Sequence, residues 1–239
     1  MARDLEKIEA GDTLFLKERL LRRQFLKFTG ATVVVGMGLS CRKEVDSPSA
    51  PAINTDHTID FKSDAGLLNY IYALEQLAAA FYIKVLEAPA ADFTAVQMAF
   101  LNDIKLHEIA HREYYKNFLG IAGIGKLEFN LSAIDTSSAL SVLTAAKAFE
   151  DLGVAAYNGA LLRAQSNYSF VILSQIASVE ARHAAWIRNQ ISTDSFADLK
   201  ELSALGAIAA DGLDVLSDPA QVLAQVTKYI STKLNVINL

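Results

Sequence analysis

Glu108-Ile109-Ala110-His111 and Glu180-Ala181-Arg182-His183 are the two stretches whose reading decides the fold of this chain. In each, a glutamate precedes a histidine by three residues. On an α-helix that spacing puts both side chains on one face, about 60° apart. Each stretch also has a glutamate upstream: Glu75 lies 33 residues before Glu108, and Glu150 lies 30 before Glu180. Tyr82 and Tyr157 each follow their upstream glutamate by seven residues, while Tyr114 and Trp186 each follow their histidine by three. The sequence therefore repeats a two-helix unit that overlays acid on acid and imidazole on imidazole.

Around these residues the apolar positions recur with helical period. The pattern predicts a helix from Asp64 to Glu87, stopped by Pro89, and a second from a cap near Asp92 to Gly120. A third runs from the Ser137-Ser138 cap to about Gln165, and a fourth from Tyr168 to Gln190. The links between the first and second, and between the third and fourth, are short, so each pair should be antiparallel. Gly120 to Thr136 can extend about 55 Å at ~3.3 Å per residue, enough to run the length of a bundle. Two hairpins joined by one long crossover predict an all-α, ferritin-like four-helix topology. A weaker helix over 197–209 and one opened by Asp218-Pro219 should follow as short C-terminal helices. The expected organisation is 1–40 export signal, 41–63 linker, 64–191 bundle and 192–239 helical extension.

Chemistry follows from where the acids sit. Glu75 lies among Leu68, Ile71, Tyr72, Ala78, Ala79 and Tyr82, and Glu180 among Leu173, Ile176, Ala177, Ala184 and Ile187. A carboxylate on an apolar stripe faces the core, where an uncompensated charge costs several kcal/mol. Two histidines cannot neutralise four carboxylates, so metal is the natural counter-charge. Glu108 and Glu150 have Lys105 and Lys147 one turn before them, which could neutralise surplus charge or merely flank the stripe.

This pattern resembles the ferritin-like superfamily of di-iron or di-manganese carboxylate proteins over about Asp64 to Gln190. There, two helices each give a Glu and two each give a Glu-x-x-His. The resemblance implies Glu75 and Glu150 as terminal ligands, Glu108 and Glu180 as bridging ligands, and His111 and His183 as one nitrogen ligand per metal. It implies two metal ions, iron first and manganese second, with O₂ or peroxide as partner. Ferrous-iron oxidation, peroxide reduction or manganese-catalase-like disproportionation would be the activity. Leu127-Glu128-Phe129 and Pro219-Ala220-Gln221-Val222-Leu223 are similar to the exported, desiccation-related branch. That branch supplies the rival expectation, a non-enzymatic stress or structural bundle.

Other readings stand beside these. His107-Glu108-Ile109-Ala110-His111 also fits the zinc-protease pattern His-Glu-x-x-His, though it leaves the second Glu-x-x-His unexplained. Otherwise His107 is a supporting or interface histidine. Tyr82 and Tyr157 are candidates for bonding the ligand carboxylates or for redox steps, against a plain role as core aromatics. Trp186 reads as core, and His57 as a solvated linker residue.

The N-terminus reads as an address. Arg22-Arg23-Gln24-Phe25-Leu26-Lys27 precedes an uncharged run, Phe28 to Ser40. As a helix that run reaches about 20 Å, short of the ~30 Å bilayer core. The segment resembles a bacterial twin-arginine signal. Gly38-Leu39-Ser40 before Cys41 resembles a lipoprotein cleavage site, with lipid on Cys41 as the only expected membrane attachment. A periplasmic or membrane-anchored location follows, reached through the twin-arginine export machinery. Composition agrees with a folded acidic domain: 52% hydrophobic residues exclude disorder, a net charge of −5 argues against nucleic acid, and one cysteine excludes a disulfide framework.

Overall fold

The computed structural model describes Asn54, residues 56–208 and residues 211–239. The twin-arginine-like segment and Cys41 lie outside the described residues. Four helices dominate: α1 Asp64–Glu87, α2 Ala95–Leu119, α3 Ala139–Arg163 and α4 Asn167–Ile191. Helix α1 carries no charged residue between Asp64 and Lys84 except Glu75. A helix apolar on nearly every side needs cover on every side. α2, α3 and residues 58–60 supply part of that cover, and the crossover from α2 to α3 supplies more.

Two amides on α1 bind the crossover. Asn69 Nδ2 donates to Ala122 O at 2.8 Å and its Oδ1 accepts from Ile124 N at 2.8 Å. One heptad on, Gln76 Nε2 donates to Gly125 O at 2.9 Å, and Gln76 Oε1 accepts from Leu127 N at 2.9 Å. Lys84 Nζ completes the row on Leu131 O at 2.8 Å. Contacts with increasing residue number on both sides mean that the crossover runs parallel to α1. α3 therefore starts at the end of the bundle where α1 finishes. This is the expected all-α ferritin-like bundle with a long crossover.

The helix ends explain themselves locally, with one correction. Thr94, not Asp92, caps α2, through a reciprocal capping box with Gln97. Asp92 instead accepts from Ala139 N at 2.8 Å, fastening the α1–α2 turn to the start of α3. Ser138 and Ser166 cap α3 and α4. Asp64 accepts from Gln165 N and Ser166 N at 2.8 and 2.9 Å, tying the α3–α4 turn to the start of α1.

The C-terminal part departs further from expectation. The helix expected over 197–209 is a single short element, α5 Leu199–Ala204; Gly206 and its positive φ of 106° end the helical run. Asp218 and Pro219 open α6, Pro219–Val226, as expected. Two short strands were not expected. β1 (Thr58–Asp60) and β2 (Asn235–Ile237) pair in parallel. The segment read as linker is thus structured from residue 56 onward, because Ile59 is fully buried. His57, expected in solvent, places Nδ1 2.6 Å from Ile124 O. No described helix is long and apolar enough to cross a membrane.

Candidate metal centre

Each main helix brings one turn of polar groups to the bundle's middle. Glu75 comes from α1, Glu108 and His111 from α2, Glu150 from α3, and Glu180 and His183 from α4. All four glutamates are buried, Glu108 completely, and so is His183. Glu75, Glu108, His111 and Glu180 can each offer one ligand atom, all within 4.8 Å of one another; so can Glu108, Glu150, Glu180 and His183. Glu108 and Glu180 belong to both groups. The structure thus brings together all six residues singled out as ligands.

The two groups are built alike. His111 Nδ1 lies 3.0 Å from Glu180 Oε1 and 3.5 Å from Glu75 Oε2. His183 Nδ1 lies 3.0 Å from Glu108 Oε1 and 3.4 Å from Glu150 Oε2. Tyr82 Oη donates to Glu150 Oε1 and Tyr157 Oη donates to Glu75 Oε1. Each tyrosine therefore serves the carboxylate of the other half of the repeat. Tyr115, which sequence reading missed, stands 3.2 Å from the Tyr157 hydroxyl. It lies four residues after His111, where the other half has Ile187, so the repeat itself could not flag it.

Electrostatics confirm that the cluster is short of positive charge. Burial and the neighbouring Glu180, Glu150 and Glu75 push Glu108 well above the carboxylate range. Burial and Glu75 raise Glu180 to about 8. Burial alone would lower His111, but the facing Glu180 and Glu75 raise it to about 10. His183 rises too: burial works against its charge and Glu150 outweighs that. Burial and Glu150 hold Tyr82 strongly protonated, as burial and Glu75 do Tyr157.

Several buried atoms aimed into this space have no hydrogen-bond partner: Glu75 Oε2, both oxygens of Glu108, Glu150 Oε2, Glu180 Oε1, and Nδ1 of His111 and His183. Buried acceptors left without a partner cost about 1–3 kcal/mol each, more when charged. Hard oxygen donors with one imidazole per group suit cations of the iron and manganese class. The cluster is compatible with bound metal ions, and the residues present fit them.

Lys147 does not supply the cluster's counter-charge: its Nζ is 2.6 Å from Glu201 Oε2. The zinc-protease alternative fails on position. His107 belongs to neither group, its ring centre is 6.5 Å from that of His111, and its Nδ1 faces His183 Nε2 at 2.9 Å. Burial lowers the pKa of His107, and His183 adds to that effect. Trp186 packs at the edge of the core against Phe100, ring centres 5.0 Å apart.

With this arrangement established, the comparison with known families is informative. The ferritin-like domain family matches residues 63–193, just over half of the chain. The chain belongs to the ferritin-like family. The matched span begins at the N-cap of α1 and ends two residues past α4, so it encloses every member of the cluster. α5, α6 and the strand pair lie outside that span. No curated protein matches the chain.

Proposed function

We propose that this ferritin-like chain is an exported protein that holds two iron or manganese ions and uses them to oxidise Fe(II) or to remove peroxide. The observation that carries this reading is the pair of overlapping three-carboxylate, one-imidazole groups with orphaned buried atoms. Glu75 and Glu150 would be terminal ligands, Glu108 and Glu180 would bridge, and His111 and His183 would each give Nδ1 to one ion. Four carboxylates balance two divalent cations, leaving a neutral core. Iron or manganese there supplies one-electron redox steps and Lewis acidity toward O₂ or peroxide.

The protein's own part is positioning and exclusion. Tyr82 and Tyr157 hold one oxygen of each terminal carboxylate and leave the other oxygen for a cation. A cavity of about 30 Å³ adjoins all four glutamates and is lined by Ala78, Gly153, Phe149 and Val226. It has room for roughly two waters. That size suits O₂ or peroxide and rejects bulky organic substrates. Export is supported by the Arg22-Arg23 segment and, for a lipid anchor, by Cys41.

The scaffold reading draws on the same cluster, since bound cations would neutralise the buried carboxylates whether or not they turn over. Elemental analysis of purified protein, followed by O₂ and H₂O₂ consumption with Fe(II) or Mn(II), separates the two. Two ions per chain with turnover support the enzyme. Two ions without turnover support a metal-stabilised bundle, and no bound metal removes the enzyme and leaves a metal-free structural bundle.

A further inference from the structure

The two halves of the repeat match at the upstream glutamate, the bracing tyrosine and the Glu-x-x-His. They differ four residues before the histidine, where His107 precedes His111 but Val179 precedes His183. The odd histidine does not serve its own half. Its Nδ1 lies 2.9 Å from Nε2 of His183, the imidazole of the other half.

We infer that His107 is a positioning residue that makes the two cation positions unequal, so that the His183 position fills first and holds its ion more tightly. This rests on the dinuclear reading above. His183 turns Nδ1 toward Glu108 and Glu150. A neutral imidazole has one donor and one acceptor nitrogen, so a lone pair on Nδ1 places the proton on Nε2. His107 Nδ1 is the acceptor for that proton, which fixes both the tautomer and the ring plane of His183. His111 has no such support. It also turns Nδ1 inward, but among the described residues its Nε2 has no protein partner, and its side chain is 12% exposed against 5% for His183. Residues that orient a metal-binding histidine change affinity by about 10- to 100-fold.

Cobalt(II) titration of the metal-free protein, followed by absorption and calorimetry, tests this. Wild type should bind two ions in separate steps, the first at least about 10-fold tighter. His107→Val, which copies the Val179 half, should weaken that first step until the two merge, and should change the visible spectrum of the first equivalent. His107→Asn, which keeps an acceptor near the Nδ1 position, should restore the separation. A purely structural role would lower thermal stability in both variants without moving the first-equivalent spectrum. Equal affinities in wild type, or an unchanged pattern in His107→Val, overturn the inference and leave the dinuclear reading standing. Absence of any cobalt binding overturns both.

Discussion

Tyr157 on α3 donates its hydroxyl to Glu75 on α1, across the seam between the two hairpins. The donor is fully enclosed and held in its protonated form. Removing the hydroxyl leaves a buried carboxylate oxygen without a partner. Tyr157→Phe should therefore cost about 1–3 kcal/mol, seen as a lower denaturation midpoint of the metal-free protein. Tyr82→Phe should behave alike through Glu150. An unchanged midpoint in both variants would show that the braces contribute nothing.

Sharing of Glu108 and Glu180 between the groups separates them from the outer glutamates. Glu108→Ala or Glu180→Ala should take metal content from two ions per chain to near zero. Glu75→Ala should remove one ion, because only one group contains it. Elemental analysis of the three variants decides this, and equal losses in all three would contradict the bridging assignment.

Protons and metal compete for the same pocket. In the metal-free protein Glu180 is raised from 4.5 to about 8 and His111 from 6.5 to about 10. A group that binds its proton more tightly when folded stabilises the fold below its unfolded pKa and loses that contribution as pH rises through the folded value. The windows are about 4.5 to 8 for Glu180 and 6.5 to 10 for His111, and Glu108 acts in the same sense. His107, shifted downward, acts oppositely near and below pH 6.5. The metal-free midpoint should thus fall between pH 6.5 and 9, while stabilisation by added Mn(II) should grow as protons leave. Thermal melts across that range, with and without metal, supply the check; a flat metal-free profile would count against it.

Gly159 on α3 lies against the backbone that leads into α6. A Cβ at this position would sit 1.9 Å from Ser217 O, and the loop is pinned there by Ser217 N on Ala155 O at 3.0 Å and by Asn158 on Val215 O at 2.7 Å. Backbone cannot yield as a flexible side chain can. Gly159→Ala should destabilise by about 1–3 kcal/mol and loosen α6, with helical content in the four main helices retained. Denaturation followed by circular dichroism, with limited proteolysis around residue 217, measures both effects.

The four helices and the six-residue cluster were legible because both rest on period and spacing. A carboxylate inside an apolar stripe is visible without coordinates, as at Glu75. What stayed hidden depends on contacts between segments far apart in sequence. His107 finds its partner 76 residues away, and Thr58 pairs with Asn235 across most of the chain. Asn69 and Gln76, polar residues a heptad apart on an apolar helix, did carry a signal: both were bound to need backbone partners, and the crossover provides them. The cap of α2 was misplaced because Asp92 and Thr94 are both good caps. Only the reciprocal Gln97 bond distinguishes them.

The crosswise bracing has a bearing on ancestry. One hairpin contains an outer glutamate, a Glu-x-x-His and a tyrosine, yet its tyrosine reaches only a carboxylate of the other hairpin. Two identical hairpins around a twofold axis would assemble the same pocket, each lending its hydroxyl to its sister. The present chain has the geometry of such a pair joined end to end, with the crossover as the connecting link.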